Sequence, residues 1–209
     1  MSKRAKGPVC GLTLRQVAVK RTFDFVVAGS LLVVLAPLIT VVVIAATLDT
    51  RNCGIFRQRR IGRGGVAFYV YKIRTMAASS AVTTTVTTSS DPRITRLGAI
   101  LRRYKLDELP QLWNVVIGNM SIVGPRPDVP GWADKLEGPD RIVLSVRPGI
   151  TGVASLAFRS EEQILADAED PEAHNRDIIW PEKVRLNRQY IESWCFKRDI
   201  EIILRTAIG

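Results

Sequence analysis

Histidine occurs once in the 209 residues, at His174, and cysteine three times, at Cys10, Cys53 and Cys195. A single histidine argues against a histidine-based triad and a multi-histidine zinc site. Three scattered cysteines argue against a disulfide framework or a paired-cysteine metal site, and they suit a reducing compartment. Gly 15 and Pro 11 are too few for a collagenous or low-complexity chain, and 46% apolar residues are too many for a disordered one. Acidic residues are scarce in the first half. Residues 1–106 carry 18 Lys plus Arg against 3 Asp plus Glu, whereas 107–209 carry 12 against 17. The length favours one domain, and so basic a half needs an anionic partner: nucleic acid, a phospholipid surface or a phosphorylated substrate.

Charge is nearly absent from one long run. Phe23–Leu48 is 26 residues with Asp24 its only charge, and it shows no polar face. As one straight helix it would reach ~39 Å, more than a ~30 Å hydrocarbon core requires. It is too long for a signal peptide, so it enters a membrane. Pro37 near its middle removes a helical hydrogen bond, and both flanks are basic (Arg15, Lys20, Arg21; then Arg51, Arg57, Arg59, Arg60, Arg63). Symmetric flanks favour both ends on the cytoplasmic side, with the helix entering, breaking at Pro37 and returning. A bitopic helix with a tolerated proline stays open. Nucleic acid falls behind, because the basic runs lack interleaved aromatics and no recognition motif occurs.

The expected organisation is a basic segment 1–22, a membrane helix 23–48 and a catalytic domain 49–209. The segment 1–22 reads as an irregular start and a short interfacial helix. Ile55–Arg60 and Ala67–Arg74 read as a β-hairpin turning at Gly62, Gly64 and Gly65. Residues 77–90, an uncharged Ser/Thr/Ala/Val tract, read as a mobile surface loop. Thr95 is the expected cap of a helix carrying Leu97, Ile100, Leu101 and Tyr104, and a second helix is expected from Asp107 to Gly118. Residues 121–152 read as loops around short extended pieces. Further helices are expected around Glu182–Trp194 and over Asp199–Ala207. The fold class is α+β, a mostly helical single domain with a small hairpin.

Asp107 and Glu108 stand side by side after Arg102, Arg103 and Lys105. A bland account makes them an N-cap and a first-turn acid. Their setting suggests more, because Arg126 and Arg147 follow in the rigid loops Pro125-Arg126-Pro127 and Arg147-Pro148-Gly149. Two carboxylates can hold a divalent cation, fixed guanidinium groups grip phosphate bidentately, and a carboxylate can be the nucleophile of phosphoryl transfer. Arg126 and Arg147 taken alone read equally well as loop anchors.

Residues 91–127, DPRITRLGAILRRYKLDELPQLWNVVIGNMSIVGPRP, resemble the core signature of the bacterial sugar transferases, the monotopic phosphoglycosyl transferases. FRQRRIGRGGVAFYVYKIRTM, VRPGITG and the apolar segment with its proline match the same family, from about Lys20 to the C-terminus. The resemblance implies a re-entrant membrane helix on a cytoplasmic-face α+β domain at the bacterial inner membrane. It implies transfer of a sugar 1-phosphate from a UDP-sugar to undecaprenyl phosphate, with Mg2+ and release of UMP. Asp107 would then be the nucleophile that carries the phosphosugar, and Glu108 would help hold Mg2+ or manage a proton. Arg126 and Arg147 would steady phosphates, with Lys72 as a further anion-facing group. Asp199 and Arg93 are additional candidates, although Asp199 also suits an N-cap. Asn187 stands where many members carry Asp, and residues 153–180 depart from the common pattern, so no sugar carries over. His174 reads as a surface residue. Anionic phospholipid is an expected partner, nucleic acid is not, and a homo-oligomer is left open. The competing reading, a scaffold that kept the fold without turnover, is disfavoured by the intact dyad and arginine loops.

Overall fold

A computed structural model describes residues 11–77 and 91–208. Residues 1–10 of the basic start, Cys10 among them, and all but the first residue of the 77–90 tract lie outside the described residues. The first element, α1, runs from Leu14 to Thr50. Thr13 caps it reciprocally: its hydroxyl accepts from the Gln16 N–H, and the Gln16 side chain accepts from the Thr13 N–H at 2.8 Å. The expected interfacial helix is thus the first turns of α1 itself. The helix also runs beyond the expected 23–48 and continues through Pro37, so the break expected at that residue is not present; the proline is accommodated inside one helix. Thr40, Thr47 and Thr50 donate their hydroxyls to carbonyls four residues back, which hides them in an apolar setting.

Burial along α1 falls in two patches. Lys20, Asp24 and Ala28 are buried, as are Val42, Ala46 and Thr50, while nothing from Gly29 to Val41 is. Ala28 packs with Val70, Leu112, Val115 and Met120, and Val42 and Ala46 pack with Ile73 and Leu101. Both patches of the helix therefore rest on the same body, with Leu32 and Leu35 between them only partly buried against it. Only 11% of its most apolar 18-residue window is buried, too little for the core helix of a soluble protein.

The hairpin expected after it is present. Strands β1 (Ile55–Ile61) and β2 (Ala67–Ile73) pair antiparallel from Ile55↔Ile73 to Ile61↔Ala67, and Gly64 and Gly65 take positive φ in the turn. Helix α2 (Arg96–Arg103) is capped by Thr95, whose hydroxyl accepts from the Gly98 N–H at 2.8 Å. Gly98 is required there, since a Cβ would sit 2.1 Å from the Thr75 carbonyl oxygen. The next helix differs from expectation. Leu106–Glu108 form a 3-10 turn, and α3 spans only Gln111–Val116, because Pro110 cannot donate and starts the helix after the dyad.

Strands β3 (Ser121–Val123) and β4 (Gly149–Thr151) pair in parallel, joined by two 3-10 segments. Short helices α4 (Val153–Ala157), α5 (Glu161–Ala166) and α6 (Pro171–His174) follow, then α7 (Trp180–Glu192) and α8 (Phe196–Ile208). Tyr190, Ile191 and Ile202 pack on Val123, Ile142 and Val146 to form the largest core cluster. Helix α8 begins before Asp199, so that residue is not its N-cap.

Candidate active site

Asp107 and Glu108 sit on the 3-10 turn between α2 and α3. Lys105, just before them, holds a left-handed backbone (φ 56), a conformation costing a non-glycine residue about 1 kcal/mol. Asn114 fixes the other side. Its side chain, fully buried, donates to the Tyr69 carbonyl at 2.7 Å and accepts from the Tyr71 N–H at 3.1 Å, docking α3 against β2. The next residue of β2, Lys72, thereby meets the turn, with Nζ 3.1 Å from Glu108 Oε1. Arg126 closes the site from the other direction, donating from Nη2 to the same oxygen at 2.5 Å. The Pro125–Pro127 loop is tied at both ends. Gly149 N–H donates to the Pro125 carbonyl at 2.8 Å, Arg60 Nη1 to the Pro127 carbonyl at 3.1 Å, and Ile61 N–H to the Asp128 carbonyl at 2.8 Å.

The two carboxylates are shifted in opposite directions. Burial pushes Glu108 up, but Arg126 and Lys72 outweigh it and keep the group well below the usual carboxylate range. Burial raises Asp107, and Lys72 only partly offsets it, with Glu108 adding to the rise. Asp107 Oδ1 is buried with no hydrogen-bond partner. Burial and the neighbouring Arg126 lower Lys72. The result is one carboxylate pinned as an anion between two cations, and one carrying an oxygen free to react or to bind.

Of the residues expected from sequence, Asp107, Glu108, Lys72 and Arg126 come together. Three do not. Arg147 donates from Nε to the Gly118 carbonyl at 2.8 Å and makes no ion pair with the dyad. Asp199 is a buried hub inside α8, 2.5 Å from Lys20 Nζ and accepting from Tyr190 Oη and Trp194 Nε1. Arg93 is bidentate to Asp91, with contacts of 2.9 and 2.6 Å. The N-cap reading of Asp107 also fails, since its free Oδ1 and the 3-10 turn leave it capping no helix. His174 closes α6, half-buried. Sequence reasoning missed Arg60 and Asp128. Burial pushes Asp128 up to about 6 despite Lys183, Arg60 and Arg126 nearby. The alternation of β1, which puts Arg60 on the face of Gln58, and the position after Pro127 were the available signals.

The model of the bacterial sugar transferase family matches residues 15–209. The UDP-glucose:undecaprenyl-phosphate glucose-1-phosphate transferase of Caulobacter vibrioides is 35% identical over 204 residues, covering 94% of this chain and 72% of its own length. The undecaprenyl-phosphate glucose phosphotransferase of Komagataeibacter xylinus is 38% identical over 195 residues, 90% of this chain and 35% of its own. The UDP-galactose-lipid carrier transferase of Erwinia amylovora is 32% identical over 203 residues, 90% of this chain and 39% of its own. The chain thus spans well under half of the latter two. Relatives of similar identity are named for different sugars.

Proposed function

The chain belongs to the bacterial sugar transferase family, and from that premise we propose that it moves a sugar 1-phosphate from a UDP-sugar to undecaprenyl phosphate. The observation that carries the reading is the unpartnered, buried Asp107 Oδ1 beside an ion-paired Glu108. Asp107 attacks the sugar-bearing phosphorus, and the bond to the bridging oxygen breaks so that UMP leaves with it. An oxygen of the acceptor phosphate then attacks the acyl phosphate, and the Asp107 carboxylate is released. Two half-reactions let a water-soluble donor and a bilayer-bound acceptor use one site in turn.

Lys72 and Arg126 bring fixed positive charge to where the diphosphate must lie, which lowers the repulsion an approaching carboxylate meets. Glu108 holds those two side chains in place, and its ion pairs favour that role over proton transfer. The residues also fit Mg2+. Among the described residues no group of three or more acidic, histidine or cysteine ligands exists, so most ligands would be diphosphate oxygens and water, with Asp107 Oδ1 as the free protein oxygen. Bound there, Mg2+ would supply neutralisation of the diphosphate charge.

The placement proposed is the cytoplasmic face of the inner membrane, with α1 re-entrant. Two burial patches on one body, with no fully buried residue between Gly29 and Val41, support it. Ile100, Tyr104, Trp113 and Ile117, exposed on the helices flanking the dyad turn, suit an interfacial seat that opens the site toward lipid.

The test is mass spectrometry of the enzyme with UDP-glucose, then UDP-galactose, plus Mg2+ and no acceptor. A phosphohexose adduct on Asp107 is expected with one of them, and none in Asp107→Asn. Normal turnover by Asp107→Asn, or kinetics requiring both substrates bound at once, would overturn the covalent route.

A further inference from the structure

Three arginines converge at the end of α3 away from the dyad turn. Arg21 of α1 donates to the Val115 carbonyl at 2.5 Å and the Val116 carbonyl at 2.7 Å, and Arg147 donates to that of Gly118. Arg63, exposed on the hairpin turn, lines the same narrow crevice, together with Lys20, Asp24 and Ser145. Capping the last carbonyls of α3 accounts for part of this. It does not account for both Nη groups of Arg147, the whole guanidinium of Arg63 or the buried Ser145 hydroxyl. None of these has a hydrogen-bond partner among the described residues. Lys20 and Asp24 are already committed, to Asp199 and to the Ile122 N–H. Burial, Arg21 and Arg63 all work against the charge of Arg147, and Asp24 offsets them only in part.

Its position narrows the choice of anion. Arg21 stands two residues before the apolar run, so the crevice lies where α1 enters the bilayer, at the depth of headgroup phosphates. The carbonyls that Arg21 and Arg147 hold, those of Val115, Val116 and Gly118, lie at the other end of α3 from the dyad turn, so a phosphate held here sits apart from Asp107. We propose that the Arg21–Arg63–Arg147 crevice binds the headgroup phosphate of an anionic phospholipid, a non-reacting lipid that fixes the depth of the domain. The site is argued independently of the transfer reaction.

The test titrates the full chain in detergent with phosphatidylglycerol, and separately with undecaprenyl phosphate, reading lipid adducts by native mass spectrometry. Arg63→Glu is the informative variant because the side chain is exposed and unpaired, so the fold does not depend on it. Arg59→Glu makes the same charge change at an exposed position outside the crevice. Arg63→Glu is expected to weaken phosphatidylglycerol roughly tenfold, with little effect from Arg59→Glu. Equal losses in the two variants would show general charge attraction and overturn the site. Loss of undecaprenyl phosphate with phosphatidylglycerol unchanged would assign the crevice to the acceptor and also overturn the proposal. Neither readout involves turnover, so failure here leaves the covalent route untouched.

Discussion

At the residue scale the site works through contrast between neighbours. Glu108 is surrounded by charge and stays ionised, whereas Asp107, one position earlier, is raised by burial and steadied chiefly by Lys72. A nucleophilic carboxylate must be ionised, so the rate should fall as pH drops through the Asp107 pKa. Lys72→Met removes the main group lowering that pKa. The acid limb of the kcat/KM profile is expected to move to higher pH, beyond any drop in rate at the plateau. A variant slowed equally at every pH would show that Lys72 acts on substrate alone. Asp128 gives a second pH effect, on stability. Its folded pKa, about 6, lies above the ordinary 3.8, so protonation favours the fold. That contribution is fully present below about pH 4 and is lost as pH rises through 6. Asp128→Asn should therefore melt higher than the parent, with a gap that grows from pH 4 and levels above 6 at no more than about 3 kcal/mol. A gap that is constant with pH would refute the assignment.

At the element scale, three helices meet on one buried carboxylate. Asp199 of α8 joins Lys20 of α1 to Tyr190 of α7 and Trp194 just beyond it. Asp199→Asn leaves the Lys20 ammonium buried and unpaired, which should cost about 3–5 kcal/mol. Adding Lys20→Met removes the stranded charge while the Asn oxygen still accepts from Tyr190, so the double variant should recover most of the loss. Thermal unfolding in detergent measures both, and a double variant no more stable than Asp199→Asn would mean the pair is not coupled. This hub was illegible in the sequence, because Lys20 and Asp199 lie 179 positions apart and nothing local links them. Local chemistry was legible: the Thr95 cap and the Gly64-Gly65 turn follow from rules acting within four residues. The dyad was legible as a pair, but its 3-10 turn was not, since the clamp of Asn114 on β2 decides it from outside the segment. For Arg147 the loop alone says nothing of direction, and only the fold turns it away from the dyad, to the Gly118 carbonyl.

At the scale of the whole molecule, the uneven charge and the single apolar run point to membrane association, but composition alone leaves open whether α1 crosses the bilayer. The contacts of α1 bear on that choice. A helix that spans must leave one end on the far side, beyond the reach of the domain. Here Lys20 and Asp24 are tied to α8 and β3, while Val42 and Ala46 pack on β2 and α2. Breaking either set would expose buried charge or apolar surface, so a spanning arrangement would have to give up one of them. Cys53, exposed just after α1, and Cys195, exposed between α7 and α8, report the two relevant positions. Cys10 reports the start of the helix from outside the described residues. With single-cysteine variants in intact cells, an impermeant thiol reagent should label none of the three, and permeabilisation should expose all together. Labelling of Cys10 on the side opposite Cys53 and Cys195 would show that α1 crosses the bilayer, and would require the Lys20–Asp199 contact to be absent in the membrane.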